Sequence, residues 1–256
     1  MLADITPVII TYNESPNIRR ALERLTWARR VIVVDSESTD ETAAIVKSFP
    51  NAELIVHRFV SLAAQWNFAV RETGIETGWL LRLDADYILD DDLIEELAKL
   101  DPPSDVGAYA VNFVYCIYGK RLRASLYPTS YKLFRRGQVS FVQDGHTERP
   151  EFTGRGVVLE GHVCHDDRKP VSRWLSSQDK YMAAEAQKLS EAQTLNLDMI
   201  DRLRKYPAIA WLVVFFYCLF GKRLILDGRA GIYYALQRTT AEIILALNVL
   251  DKQLRR

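Results

Sequence analysis

The chain has 256 residues, 48% of them hydrophobic and 26% charged, the balance of a globular protein. Lys+Arg and Asp+Glu each number 33, so the formal net charge is zero, which argues against nucleic acid as a partner. The three cysteines, Cys116, Cys164 and Cys218, have no zinc-type pairing; they argue against a disulfide framework and fit a reducing, cytoplasmic setting.

Ile5 to Thr11 reads as a first strand, with Pro7 near its start. Tyr12, Asn13 and Glu14 follow at its carboxyl end. Ser15 is placed to cap a helix with Pro16 at its first position, and Ile18, Ala21, Leu22 and Leu25 recur at helical spacing. Val31 to Val34 is a second strand; its lack of alternation predicts burial on both faces. A polar stretch, Asp35 to Asp40, follows it, and a helix runs from there to about Ser48. Leu54 to Val56 makes a third strand. The next helix places Ala63, Trp66 and Val70 on one face, with Gln65 and Asn67 toward others.

The fourth strand is Leu80-Leu81-Arg82-Leu83, ending in Asp84-Ala85-Asp86. Two carboxylates so close repel each other unless a cation or a set of donors compensates them. Hard oxygen ligands suit Mg²⁺ or Mn²⁺, held by one or two carboxylates together with substrate phosphates. Asp90, Asp91 and Asp92 then open a helix with Leu93, Leu97 and Leu100 inward. Strand and helix alternate four times, the pattern of a mostly parallel α/β sheet. In such a sheet, ligands bind beyond the carboxyl ends of the strands. The three polar clusters at Thr11–Glu14, Asp35–Asp40 and Asp84–Asp86 are therefore expected to converge.

After Pro102-Pro103 the chain changes character. Tyr109 to Tyr118 and Tyr131 to Phe134 read as strands that extend the sheet. Asp144-Gly145-His146-Thr147-Glu148 and His165 to Pro170 read as polar loops. Ser172 caps a helix to about Leu195, with Trp174, Leu175, Tyr181, Met182 and Leu189 along one side. No signal peptide is visible at the N-terminus. The longest apolar run, Ala208 to Phe220, is shorter than the ~20 residues needed to span a bilayer. It follows Arg202, Arg204 and Lys205 and precedes Lys222 and Arg223. Gly231 to Leu250 is a further helix. This tail fits either a helix lying in a membrane interface or an oligomer contact. The expected divisions are residues 1–100, residues 101–170, and a helical appendage at 171–256.

Four segments resemble the family 2 glycosyltransferases in order and separation: Thr11-Tyr12-Asn13-Glu14, Val33 to Thr42, Gln65-Trp66-Asn67-Phe68-Ala69 and Leu83-Asp84-Ala85-Asp86. The subgroup most similar is the bacterial lipopolysaccharide-core glucosyltransferase-like one. Glu37 and Glu41 stand where that subgroup often has glycine, and Ser36 where other relatives have a second acid. The resemblance implies a GT-A fold and a UDP- or GDP-sugar donor, with residues 1–100 binding the donor and 101–170 the acceptor. Thr11, Tyr12, Glu14, Asp35, Gln65, Asn67, Asp84 and Arg168 would bind that donor. Asp86 and Asp84 would hold the metal, with His165 as a third ligand. The catalytic base would be Asp144 or Glu148, with Asp144 favoured.

These features imply an inverting, metal-dependent transfer of a sugar to a lipid-linked, lipopolysaccharide-core or exopolysaccharide glycan, at the inner face of the cell membrane. A polyprenyl-phosphate acceptor is the nearest alternative, and a non-catalytic membrane-associated binding module is another. A nucleotidyltransferase would carry a glycine-rich basic loop after the first strand, which Thr11-Tyr12-Asn13-Glu14 is not.

Overall fold

The computed structural model describes residues 1–145, 147–191, 204, 206–207 and 209–255. The chain forms two compact units. The first comprises Met1–Gly119, Tyr127–Gln143 and Thr147–Arg168; the second comprises Lys120–Leu126, Asp144–His146 and Lys169–Arg256.

In the first unit, strands and helices alternate: β1 (Ile5–Thr11), α1 (Ile18–Glu23), β2 (Val31–Asp35), α2 (Thr42–Lys47), β3 (Ala52–Val56), α3 (Leu62–Arg71), β4 (Trp79–Asp84), β5 (Tyr87–Leu89) and α4 (Asp91–Lys99). Beyond them come β6 (Val106–Ile117), β8 (Ser130–Arg135), β9 (Val139–Asp144), β10 (Thr147–Phe152) and β11 (Arg155–His165); the two-residue β7 (Lys120–Arg121) belongs to the second unit. The main sheet has the order β3-β2-β1-β4-β8-β6-β11-β5. Strands β1 to β4 pair in parallel. Strand β8 is antiparallel to both of its neighbours, β6 and β11 are parallel, and β5 closes the edge antiparallel. The α/β expectation holds.

Side-chain alternation explains why the central strands are apolar throughout. Ile5, Ile9, Val31, Val33, Leu81 and Leu83 join Ile18 and Leu22 of α1 and Leu93 and Leu97 of α4 in one core. Val8, Ile32, Val34 and Leu80 join Ala63, Trp66 and Ala69 of α3 in the other. Successive residues point to opposite faces, and helices cover both, so neither face can be polar.

Several local expectations are corrected. Helix α1 begins at Ile18, not after Ser15. Asn13 takes a left-handed conformation, φ 55°, and the Ser15 amide is drawn to Asp40 Oδ2 at 3.2 Å, so the first turn forms later. The helix opens at Asp90 to Asp92 as expected, and between Asp86 and it Tyr87–Leu89 adds an unexpected short strand, β5. Asp144 ends β9 and Glu148 lies inside β10, so most of the segment expected as a polar loop is strand. Cys116 and Cys164 form a disulfide with Cα atoms 6.2 Å apart. Pairing of β6 with β11 brings together cysteines separated by 48 residues, which spacing along the chain conceals. Cys218 is free and buried.

The second unit contains α5 (Val171–Glu191), α6 (Ala210–Phe216), a wider turn at Tyr217–Gly221, a tight turn at Leu224–Asp227, and α7 (Arg229–Leu254). Met182, Ala186 and Leu189 of α5 pack on Ala241 and Leu245 of α7. Ser172 lies inside α5 rather than capping it, and Leu175 and Tyr181 are each 41% exposed, so the inward side is narrower than expected. Residues 192–195 at its expected end lie outside the described residues. So do Arg202 and Lys205; Arg204 is committed to Glu242, with Nη2 to Oε1 at 2.7 Å. Among the described residues, no helix is long and apolar enough to cross a membrane.

Candidate active site

Register carries the polar tips of the first unit to one end of the sheet. Thr11 pairs with Asp35 and Ile10 with Asp84. Thr11, Asp35 and Asp84 thus end three adjacent parallel strands side by side, the position at which open α/β sheets bind ligands.

The tips of β1 and β2 are laced together. Asp35, 2% exposed, accepts from the Ser38 amide at 2.8 Å and the Ser38 hydroxyl at 2.5 Å. Asn13 Oδ1 accepts from the amides of Thr39 and Asp40 at 2.7 and 3.2 Å. The Glu14 amide donates to Thr42 Oγ1 at 2.7 Å. Burial raises the Asp40 carboxyl, but donors on Thr42 and Ser15 outweigh it and leave Asp40 below the ordinary value. The Thr11 hydroxyl is buried without a hydrogen-bond partner, while Tyr12 is 54% exposed. An unpaired buried hydroxyl costs free energy, and a ligand at this tip would relieve that cost.

At the tip of β4, Asp86 Oδ2 meets His165 Nε2 at 3.0 Å. Backbone pairing sets this contact, since the Asp166 amide donates to the Asp86 carbonyl at 3.1 Å. Tyr87, Tyr115 and Tyr127 box the imidazole, with ring centroids 5.4, 4.7 and 4.8 Å away. The Tyr87 and Tyr127 hydroxyls share a hydrogen bond of 2.5 Å. Burial, and then the charge of Asp84, pushes both phenols above their ordinary value. His165 Nδ1 is buried and unpartnered. Beside them, Lys132 lies 4.9 Å over the Tyr87 ring. Burial pulls its ammonium down to about 7 and Arg82 adds to this, while Asp84 and Asp86 pull it back up. Among the described residues, no group of three or more His, Cys, Asp or Glu side chains is placed to hold a metal.

A cationic pair borders this tip. Asp166, almost fully buried, accepts from Arg20 Nη1 and Arg168 Nη2, each at 2.8 Å. Asn17 is the hub beneath. Its amide nitrogen donates to Glu14 Oε2 at 2.8 Å and Asp167 Oδ1 at 2.9 Å; its oxygen accepts from Arg20 Nη2 at 2.7 Å and the Arg168 amide at 2.9 Å. Glu14 and Arg168, expected as donor-binding, therefore meet through Asn17. Burial lowers the Arg20 guanidinium, Asp166 opposes this, and Asp86 is close enough to contribute.

The other expected residues lie elsewhere. Gln65 is 1% exposed and is no surface residue. It donates to Ser36 Oγ at 3.1 Å and meets His57 Nδ1 at 2.8 Å. Asn67 brackets Phe141, accepting from its amide at 3.0 Å and donating to its carbonyl at 2.8 Å. Glu148 is 5% exposed and forms an ion pair with Arg82, 8% exposed. The Arg82 guanidinium lies over Trp66 and Phe141, at 4.7 and 5.2 Å. Asp144 belongs to the second unit and pairs with Lys188 Nζ at 2.9 Å; its side chain is 45% exposed. His146 lies outside the described residues.

Sequence reasoning missed Arg20, Asn17, Asp166, Tyr87, Tyr127 and Lys132. Two signals were present. Lys132 sits in the apolar strand Tyr131-Lys132-Leu133-Phe134, and Arg82 in Leu80-Leu81-Arg82-Leu83. A charge inside a buried strand needs a partner there.

Residues 6–155, more than half of the chain, match the family model described as Glycosyl transferase family 2. LpsC of Rhizobium meliloti, a lipopolysaccharide core biosynthesis glycosyltransferase, is 30% identical over 171 residues, covering 62% of this chain and 58% of that protein. An uncharacterized glycosyltransferase of Rickettsia prowazekii is 26% identical over 200 residues, covering 72% of this chain and 68% of that protein. One of Rickettsia bellii is 40% identical over 94 residues, covering 36% of this chain and 31% of its own. The matches thus span from about a third to about two thirds of these relatives' length. The solved structure of S. aureus TarS 1–349 in complex with UDP-GlcNAc overlays at TM-score 0.48 and 15% identity, covering 98% of this chain and 92% of that one. With the family match running from the first strand through the hairpin to the start of β11, the chain belongs to glycosyl transferase family 2.

Proposed function

We propose that the protein transfers a sugar, with inversion, from a UDP- or GDP-sugar to a hydroxyl of a lipid-linked or lipopolysaccharide-type glycan. The observation that carries this reading is the shared end of β1, β2 and β4. There, an unpartnered Thr11 hydroxyl, the Asp86–His165 pair and the Arg20–Asp166–Arg168 cluster belong to one unit. The likeness to LpsC supports the acceptor class.

In this reading Thr11, Tyr12 and Asp35 line the nucleoside, and Glu14 lies beside the ribose. Gln65 and Asn67 support the pocket from behind through Ser36 and Phe141. Arg20 and Arg168 face the diphosphate, pre-oriented by Asp166. Asp86, with Asp84 and His165, suits a cation that arrives with the donor. Mg²⁺ is ordinarily held by one or two carboxylates plus phosphates, so a preassembled three-ligand cage is not needed. When bound, Mg²⁺ or Mn²⁺ would neutralise charge developing on the departing nucleoside diphosphate.

The resemblance offers Asp144 as the base that would take the proton of the acceptor hydroxyl as that oxygen bonds to the anomeric carbon and the bond to the diphosphate breaks. Its partner Lys188 holds it by an exposed ion pair, worth only ~0–1 kcal/mol and readily exchanged. Glu148 is committed to Arg82. Asp144→Asn is expected to lower kcat by ~10²–10⁴-fold with donor affinity retained, whereas Glu148→Gln is expected to show first as lost stability. Steady-state kinetics and melting curves on both variants separate the two; a Glu148→Gln protein that melts normally but does not turn over would reverse the assignment.

Donor class is tested by thermal shift. A donor at about 100 times its Kd stabilises by about 2.7 kcal/mol, a rise of about 5 °C or more for a chain of this size. UDP-sugars or GDP-sugars should give that rise, and Mn²⁺ should enlarge it. No rise with any nucleotide sugar, with or without metal, would remove the donor reading.

A further inference from the structure

Among its described residues, the second unit carries an apolar face that is exposed. From Ile209 to Gly221 the sequence has no charged residue. One side of α6 and the turn after it is packed: Ala210, Cys218 and Leu219 are buried. The other side is equally apolar. Ile209, Val213, Phe216, Tyr217 and Phe220 recur at spacings of three and four, and are 44–58% exposed. The Phe216 and Phe220 rings stack at 6.1 Å on this outer side. A surface helix of a water-soluble unit ordinarily turns polar residues outward; one apolar all round has a second apolar phase to meet.

The charges beside this face choose its occupant. Between Tyr206 and Ile232 the charged residues are Lys222, Arg223, Asp227 and Arg229. Asp227 is turned inward, accepting from the Arg123 amide at 3.1 Å and from Arg123 Nε at 2.9 Å. Arg223 and Arg229 are exposed, and the Lys222 ammonium lies 5.7 Å over the Tyr217 ring. Next to them Ile225 and Leu226, 46% and 63% exposed, extend the apolar area through the tight turn. A second copy joined through this face by a two-fold axis would bring cations against cations. An anionic lipid surface meets both halves of the pattern, apolar side chains in the acyl boundary and cations at the headgroups. Helix α7 also exposes apolar residues, Leu247 and Leu250 among them, but Asp251 beside Lys252 and Arg255 gives it both signs of charge. Its pattern is not selective in this way.

We propose that the outer face of α6 and the Lys222–Arg229 segment dock this protein on an anionic membrane surface, lying in the interface without crossing it. This inference does not depend on the donor reading, because vesicle binding is measured without turnover.

The test is flotation of the full chain with vesicles of phosphatidylcholine alone, and with about one third phosphatidylglycerol. The protein is expected to float with the anionic vesicles about tenfold more than with the neutral ones, and to be released as salt screens the charges. Phe216→Ser/Phe220→Ser should lose most of the binding. Lys222→Gln/Arg223→Gln should lose the preference for anionic lipid while keeping residual binding. Light scattering is read on the same samples, and circular dichroism confirms that the variants fold. No flotation by the folded protein on either vesicle would overturn the proposal. So would undiminished flotation of the phenylalanine variant, or a dimer that this variant abolishes.

Discussion

Asp86→Asn is expected to lower sugar transfer by about 10²–10³-fold, the range seen when one preorganised electrostatic contact to a developing charge is removed. The variant should fold normally. Asn has nearly the shape of Asp, the Asp86 carbonyl still accepts from the Asp166 amide, and the side-chain oxygen can still meet His165 Nε2. Deleting one of two neighbouring carboxylates also relieves like-charge repulsion with Asp84. What is lost is one of the two negative charges at the end of β4. Under the proposed function that charge holds the divalent cation, so the variant should also need far more Mn²⁺ to approach its maximal rate. The measurement is a Mn²⁺ titration of donor hydrolysis and transfer for both proteins. The same half-saturating Mn²⁺ and the same kcat would remove Asp86 from the metal site. A large loss of kcat with an unchanged metal response would leave it a role through His165 alone.

How much of this could be read from the sequence follows from which interactions are local. Apolar runs between turn residues located β1, β2, β4 and α3, because burial on both faces of a parallel sheet leaves its mark residue by residue. Their polar ends were legible for the same reason: each begins where the apolar run stops. What each polar side chain does there was not legible. Asp35 spends both carboxylate oxygens on Ser38, three residues along its own loop. Gln65, expected on a helix surface, is buried against Ser36 and His57. The partners of Arg20 and Cys116 lie 146 and 48 residues away, and only the pairing of β11 with β5 and β6 brings them near. Periodicity reports which side of an element is dry; it does not report what lies opposite.

Arg82→Met is expected to destabilise the first unit by about 3–5 kcal/mol, the usual consequence of leaving one member of a buried ion pair alone. The Arg82 and Glu148 side chains are 8% and 5% exposed. The guanidinium lies over the ring faces of Trp66 and Phe141. Burial lowers the Arg82 guanidinium, and Asp84 opposes that. The two single variants should differ. Removing Arg82 strands a buried carboxylate that has Asp84 in the same neighbourhood. Glu148→Gln leaves a guanidinium that retains two aromatic faces and an amide oxygen to donate to, so it should cost less. In the double variant Arg82→Met/Glu148→Gln neither charge remains, and much of the loss should return. The coupling energy is read from urea unfolding of the four proteins, each checked for a single transition. Single variants costing under about 1 kcal/mol, with no coupling, would mean that this pair does not hold the hairpin to β4. A strong coupling would explain why an arginine interrupts an otherwise apolar strand two residues before Asp84. The same cation that pairs with Glu148 also lowers the ammonium of Lys132, which Asp84 and Asp86 raise, so the charges around the strand end that carries the two aspartates are coupled.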